Sequence, residues 1–336
     1  MIISGRKISI NNSCYIVAEL GVNHEGNLEM CKKMIYEASK AGADAVKLQT
    51  FDPNEHYTPN TESYKIFKKN SFNFSEIRSL FKLAKKLNIH IFSTCGDEKT
   101  IDLIDSLNPV AYKISSGMIE HFPIIKYLCT KDRPLIISTG MAETPQIDKV
   151  INLVKKYNVR NFCLLHCVSI YPTPKEQLNL LCIRTLAKKY KIPVGFSDHS
   201  IGGEAMQIAV SLGARIIEKH FTLDRRRRGF DHKISMTPME FKKTIKKIRS
   251  IELAIGNGEK KLSQTELINR NRLRRVIVAK KEINIGKKID DKDLSIMRVL
   301  KTKKGISPVN YDKIIGKKVI KKISKFEVLT INSLSK

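Results

Sequence analysis

Short apolar runs alternate along the chain with stretches in which apolar residues recur every three or four positions. The runs are CYIVAEL (14–20), AVKLQT (45–50), IHIFST (89–94), VAYKISS (110–116), PLIIST (134–139), NFCLLHC (161–167), PVGFSD (193–198) and ARIIEKHF (214–221). Their length and composition predict buried strands. Between them NLEMCKKMIYEASKAG (27–42), SEIRSLFKLAKKLN (75–88) and QIDKVINLVKKYN (146–158) carry the helical period, and PMEFKKTIKKIRSIELAIG (238–256) follows the eighth run. Eight strands, each followed by a helix, predict an α/β fold, the (β/α)8 or TIM barrel. A doubly wound open sheet is the runner-up, but it usually has fewer strands, and no GxGxxG follows the first run.

The pattern changes after residue 256. NGEKKLSQTELINRNR (257–272) is polar and reads as a linker. RVIVAKKEINIGKKI, LSIMRVL and GKKVIKKISKFEVLT then read as short strands joined by turns. The expected organisation is therefore a barrel over 1–256, a linker over 257–272 and a small, mostly β domain over 273–336. A chain of 336 residues with 42% hydrophobic content is long enough for two domains and is not disordered by composition. No apolar stretch approaches the roughly 18–20 residues of a membrane span. The N-terminus lacks a basic-then-apolar signal layout, so a cytoplasmic location and no membrane partner are expected. Seven cysteines, an odd number with no CxxC, argue against a disulfide framework or a zinc ribbon.

The formal net charge of +28 admits a nucleic-acid partner or a site for anionic substrates. The lysines are spread over the whole chain rather than along one helix, and tryptophan is absent, so nucleic acid is not expected. One dense cluster, Arg225–Arg228, either attracts an anion or is simply solvated.

Catalysis on a barrel collects at the strand ends. Glu19 closes the first run; Lys47 and Gln49 share one face of the second. Ser93 and Thr94 close the third, and Lys113, Ser115 and Ser116 the fourth. Ser138 and Thr139 end the fifth, His166 the sixth, with Ser169 and Tyr171 beyond it. Asp198 and His199 end the seventh, and Glu218 and His220 share a face of the eighth. Two lysines with several hydroxyls can hold a phosphate and a carboxylate. Two histidines can hold a divalent metal, and a glutamate can move a proton. Spacing alone does not single out His199 and His220.

At these residues the chain resembles the sialic acid synthase family, which includes N-acetylneuraminate, legionaminic acid and pseudaminic acid synthases. The motifs are AELGVNHEGNLE, AGADAVKLQTF, FST, AYKISSG, ISTGMA, LLHCVSIYPTP, GFSDHS, GARIIEKHFTLD and DHKISM, in family order from residue 18 to 236. GISP and IIGKK resemble the family's C-terminal antifreeze-like (SAF, β-clip) domain. The resemblance implies condensation of phosphoenolpyruvate with an N-acylated amino-sugar aldehyde, either N-acetylmannosamine or a 2,4-diacetamido-2,4,6-trideoxyhexose, giving a nonulosonic acid and phosphate with the help of Mn2+ or Mg2+. It implies His199 and His220 as metal ligands. Lys47, Lys113, Thr94, Ser116 and Ser138 correspond to the phosphoenolpyruvate set, with Gln49 beside them, and Glu19 to the group handling a proton of water or hemiketal. Tyr171, Glu218 and Asp231 correspond to sugar-side or metal-water contacts. Arg298 matches an arginine reaching a partner's active site, which implies a domain-swapped homodimer.

Several positions depart from the family pattern. Cys95-Gly96 replace a Pro-Phe pair, so an aromatic wall is missing or replaced. Met118 stands for a glutamate, Ser169 for an asparagine and Phe230 for a proline, and the loop after Arg298 is longer. The rival functions are another metal-dependent barrel aldolase or hydrolase, and a basic nucleic-acid-binding protein.

Overall fold

A computed structural model describes residues 1–229, 231–300 and 305–335. Among these, eight parallel strands close into a barrel: β1 (Tyr15–Glu19), β2 (Ala45–Thr50), β3 (His90–Cys95), β4 (Tyr112–Ile114), β5 (Leu135–Ser138), β6 (Phe162–Cys167), β7 (Val194–Asp198) and β8 (Ile216–His220), with β8 pairing back onto β1. Seven lie inside the predicted runs, and β3 runs one residue past its own, to Cys95. Barrel helices follow in turn: α1 (Leu28–Ala41), α2 (Phe74–Lys86), α3 (Glu98–Asp105), α4 (Phe122–Cys129), α5 (Thr144–Lys156), α6 (Cys182–Tyr190), α7 (Glu204–Ser211) and α8 (Pro238–Ile255).

Helix α1 shows how the sequence sets these elements. Asn27 caps it by accepting from the Met30 amide at 2.9 Å, a contact worth about 1 kcal/mol. Cys31, Met34, Ile35 and Ala38 form its buried stripe. Gly42 ends it with φ +93°, a left-handed conformation that costs glycine little.

Strand alternation sorts the side chains into two cores. Ile16, Ala18, Val46, Leu48, Ile137 and Leu164 face outward and pack with the helices. Val17, Ala45, Phe92, Ala111, Ile136 and Leu165 face inward and fill the lower barrel. Ile3, in the small N-terminal hairpin Ile2–Ile3 and Arg6–Lys7, and Ile8, just after it, belong to that inner cluster. Gly195 belongs to the same tight interior: a Cβ there would collide with the Ile216 carbonyl and lie 2.6 Å from Leu165. The apolar fill leaves only the C-terminal strand ends free to carry polar groups inward.

The second compact unit spans Gly258–Lys336. Strands β9 (Arg275–Ala279) and β10 (Leu294–Arg298) pair antiparallel over a core that includes Ile277, Ile283, Leu294, Val319 and Leu329. The segment 316–330, expected as a strand, contributes isolated bridges such as Ile283↔Ile323 and Lys288↔Lys318, because turns interrupt it. The polar stretch read as linker contains a helix, Gln264–Leu273, started by the Ser263 side chain accepting from the Glu266 amide. It lacks an apolar stripe, which is why the sequence reads as a linker. No helix among the described residues is long and apolar enough to cross a membrane.

Candidate active site

Register assembles the site. Partners on neighbouring parallel strands point to the same side, and pairing sets His220 beside Glu19 and Glu19 beside Lys47. Gln49 pairs with Thr94, and Thr94 with Lys113. Six residues from β8 round to β4 thus face one cavity of about 660 Å³ at the C-terminal mouth.

The floor of this cavity is a buried charge network. Lys47 is ion-paired with Glu19 and lies 3.1 Å from the Thr94 hydroxyl and 3.8 Å from Glu218. Lys113 lies 3.5 Å from Glu218 and donates to the Ser138 hydroxyl at 2.6 Å. Gln49 donates to Glu19 at 3.1 Å, and Ser197 to Glu218 at 2.9 Å. All four charged groups are almost fully buried. Charges this deep persist only when paired, and here two carboxylates hold two ammonium groups.

The two glutamates diverge in acidity. Burial pushes the Glu19 carboxyl well above the usual carboxylate range, Lys47 opposing and Glu218 adding to the rise. Burial acts on Glu218 in the same way, but Lys113 and Lys47 together outweigh it and hold the group below its ordinary value. One carboxyl therefore stays ionised while its neighbour can carry a proton, an arrangement suited to acid–base work. Burial also lowers Lys113, against the pull of Glu218.

Beside this floor lies an imidazole–carboxylate cradle. The His199 Nδ1 donates to the Val168 carbonyl at 2.8 Å; burial lowers the ring, but Cys167 and then Val168 outweigh it and hold His199 above the usual histidine range. The rings of His199 and His220 are 5.6 Å apart. His220 Nδ1 is buried without a hydrogen-bond partner, 3.7 Å from Asp231 Oδ2. Burial, then His199, keeps His220 well below the usual histidine range, and burial raises Asp231 to about 6. Gly21 opens the space between them. A Cβ there would lie 3.1 Å from Asp231 Oδ2, 3.5 Å from Glu19 Oε1 and 3.6 Å from His220 Nδ1, on a backbone already at φ +51°. Imidazole nitrogens with carboxylate oxygens fit a divalent cation of the manganese or magnesium kind, which would displace the His199 proton on binding. No cluster of three or more His, Cys, Asp or Glu among the described residues could hold a metal ion, so a bound ion would draw further ligands from water or substrate.

Of the residues singled out from sequence, Glu19, Lys47, Gln49, Thr94, Lys113, Ser115, Ser116, Ser138, Ser169, Tyr171, His199, Glu218 and His220 line the cavity. Asp231 stands behind it, next to His220. Tyr171 stacks on His199 with ring centroids 4.2 Å apart. Arg298 is exposed on β10, in the second unit. Phe230 and loop residues 301–304 lie outside the described residues. Four strand-end groups do not line the cavity. Ser93 donates to the Leu48 carbonyl at 3.1 Å and Thr139 to the Leu165 carbonyl at 3.0 Å, His166 bonds to the Leu178 carbonyl at 2.8 Å, and Asp198 pairs with the fully buried Lys219 at 3.0 Å. Their parity explains this, since each is one residue out of step with a cavity-lining position, Thr94, Ser138, Cys167 or Ser197. In the arginine run, Arg225 pairs with Glu240, Arg226 with Asp224 and Arg227 with Glu25, so three of the four charges are already matched.

The sequence reading missed Phe51, His56, Tyr57, Phe67, His121, Met141 and Cys167, all of which line the cavity. Phe51 and Cys167 continue inward parities already in use and could have been found that way. The others sit in loops or short loop helices with no period to read. They also resolve the question of the aromatic wall. His56 lies flat on Phe51 at 4.4 Å, in space that a side chain at position 96 would occupy. The wall is replaced.

A sequence model described as the NeuB family matches residues 34–260, and one described as the SAF domain matches 274–335. The N,N'-diacetyllegionaminic acid synthase of Legionella pneumophila is 37% identical over 330 residues, covering 93% of this chain and 92% of that protein. The human N-acetylneuraminate-9-phosphate synthase is 33% identical, covering 94% and 91%. The crystal structure of an N-acetylneuraminic acid (sialic acid) synthetase from Leptospira borgpetersenii, in complex with citrate, superposes with a TM-score of 0.77 at 34% identity, covering 81% of this chain and 96% of that one. With the barrel, the strand-end polar site and a C-terminal SAF domain in place, the chain belongs to the NeuB family of sialic acid synthase-type enzymes.

Proposed function

We propose that the protein condenses phosphoenolpyruvate with the open-chain aldehyde of an N-acylated amino sugar, giving a nonulosonic acid and inorganic phosphate. The observation that carries this reading is the pair of buried lysines, Lys47 and Lys113, ringed by Thr94 and Ser138 and set directly beside the His199–His220–Asp231 cradle. Ammonium and hydroxyl donors hold the phosphate and carboxylate of one substrate, and the cradle faces the aldehyde of the other. Carbon 3 of phosphoenolpyruvate bonds to the aldehyde carbon, water adds at carbon 2, and the bond from carbon 2 to the phosphate oxygen breaks.

Glu19 is placed to take and return a proton as water adds, because its carboxyl titrates high and Gln49 fixes its orientation. Glu218, held ionised, keeps the lysines charged and in place. Ser116, its hydroxyl 3.1 Å from the Gly140 amide, belongs with the phosphoenolpyruvate set, and Tyr171, over His199, lines the path of the acceptor. His199 and His220, with Asp231 behind, would hold a divalent metal, manganese or magnesium, whose contribution is Lewis-acid polarisation of the aldehyde oxygen. The domain boundaries proposed are 1–256, 257–272 and 273–336, with the last acting on a neighbouring subunit through Arg298.

The deciding assay measures phosphate released with phosphoenolpyruvate, Mn2+ and a panel of N-acyl amino sugars, with the product weighed by mass spectrometry. Release should require both substrates. Turnover of an acceptor without phosphoenolpyruvate would instead indicate an aldolase or hydrolase. The metal assignment is checked without turnover. Manganese at about 100 times its Kd should stabilise the wild-type chain by about 2.7 kcal/mol in a thermal melt. His220→Ala should lose most of that gain, and an undiminished shift in the variant would remove His220 from the metal site.

A further inference from the structure

Lys219 and Asp198 carry buried charges that the proposed chemistry does not use. Both side chains are wholly buried and outside the cavity, yet each immediately precedes one imidazole of the cradle: Asp198 comes before His199 and Lys219 before His220. Register sets them side by side, Lys219 opposite Asp198 on the paired strands β8 and β7.

Their bonds close a small polar knot. Lys219 donates to Asp198 Oδ2 at 3.0 Å and to the Ser200 carbonyl. Asp198 Oδ1 accepts from the Ser200 amide at 2.8 Å and from the Ser200 hydroxyl at 2.7 Å. His199 is therefore the middle residue of a turn whose two ends are bonded to each other, and the Lys219 ammonium ties that turn to the residue next to His220.

The two imidazoles depend on such a tie unequally. His199 has anchors of its own: Nδ1 donates to the Val168 carbonyl at 2.8 Å, and its main-chain carbonyl accepts from the Thr173 amide at 3.0 Å. His220 Nδ1 is buried without a hydrogen-bond partner, so no bond at that atom orients the ring, and its place follows from the strand that carries it. A wholly buried ion pair is often no more stabilising than well-packed apolar residues of similar volume, so stability alone does not call for one here. What a charge pair adds is geometric specificity, because its bonds form only at one distance and one register.

Resting on the reading of His199 and His220 as metal ligands, we propose that Lys219 is a positioning residue: bonded to Asp198 and to the Ser200 carbonyl, it holds the two imidazoles at the separation a shared divalent cation requires.

The test titrates Mn2+ into the metal-free full-length chain and reads the unbound ion by electron paramagnetic resonance, with a thermal melt of each metal-free protein alongside. Lys219→Met keeps the apolar stem and should weaken Mn2+ binding by about tenfold or more, the range seen when groups behind metal ligands are removed. It also leaves Asp198 buried without its cation, so its melting temperature should fall. Asp198→Leu combined with Lys219→Met removes both charges, and the metal-free melting temperature should return towards that of the wild type. Its Mn2+ binding should nevertheless stay about tenfold weaker. That split between the two readouts marks positioning, since a purely structural pair would recover both together. The double variant leaves neither charge of the pair unmatched, so the test survives a Lys219→Met protein that fails to fold. A double variant that binds Mn2+ as tightly as the wild type would overturn the inference and leave the His199–His220 site standing. A wild-type chain that binds no Mn2+ would overturn both.

Discussion

Lys113→Ala should lower kcat/KM for phosphoenolpyruvate by two to three orders of magnitude or more while changing KM for the acceptor far less. The side chain is 2% exposed, lies between Ser138 at 2.6 Å and Glu218 at 3.5 Å, and opens onto the cavity. Its ammonium is already desolvated in the free protein, so an incoming phosphate or carboxylate gains a charge-assisted bond without the cost of stripping water from the lysine. Truncating one partner of such a buried pair costs on the order of 3–5 kcal/mol, and each 1.36 kcal/mol is a factor of ten. Part of that cost comes from Glu218, left with Lys47 at 3.8 Å as its remaining cation. Lys113→Met separates these contributions from packing, because it keeps the apolar stem and deletes only the charge. Both variants should lose activity alike, measured by initial rates at fixed, saturating acceptor. If KM for the two substrates rises equally, Lys113 is a structural cation and the phosphoenolpyruvate site lies elsewhere in the cavity.

How far the sequence discloses this site depends on periodicity. The alternation of β2 and β8 places Lys47 with Gln49 and Glu218 with His220 on shared faces, and the structure bears out both pairs in one cavity. Alternation within one strand cannot say which residue of the next strand stands alongside. That is set by register, and it is register that brings His220, Glu19 and Lys47 into one row. The same rule explains the misassigned groups: His166 and Asp198 are polar and near strand ends, yet out of step with the inward residues. The aromatic wall was illegible because the β2–α2 connection has no period. What could be read at position 96 was a missing side chain; what could not be read was that His56 fills the place. In the second unit, interrupted strands and a polar helix carry weak patterns, and the reading blurred accordingly.

Two inactive variants, His220→Ala in the barrel and Arg298→Ala in the SAF domain, should regain activity when mixed and allowed to exchange subunits. The expectation follows from the proposed division of labour. The SAF unit has its own small core built around Ile277, Ile283 and Leu329, yet β9 and β10 form only a two-stranded sheet. So small a domain gains stability by docking. Ile296, Met297 and Arg298 on β10 are exposed, as a docking edge requires. If each SAF domain serves the neighbouring barrel, a mixed dimer holds one site with both lesions and one with neither. Random exchange in an equimolar mixture makes half the dimers mixed, so about one quarter of all sites are intact. Activity should therefore climb from near zero towards about a quarter of the wild-type rate, with a time course that tracks exchange followed by a fluorescent label. If each SAF domain serves its own barrel, every site keeps one lesion whatever the pairing. Confirmed exchange without recovered turnover would then remove Arg298 from the partner's site, while the chemistry assigned to Lys47, Lys113 and Glu19 would stand on its own tests.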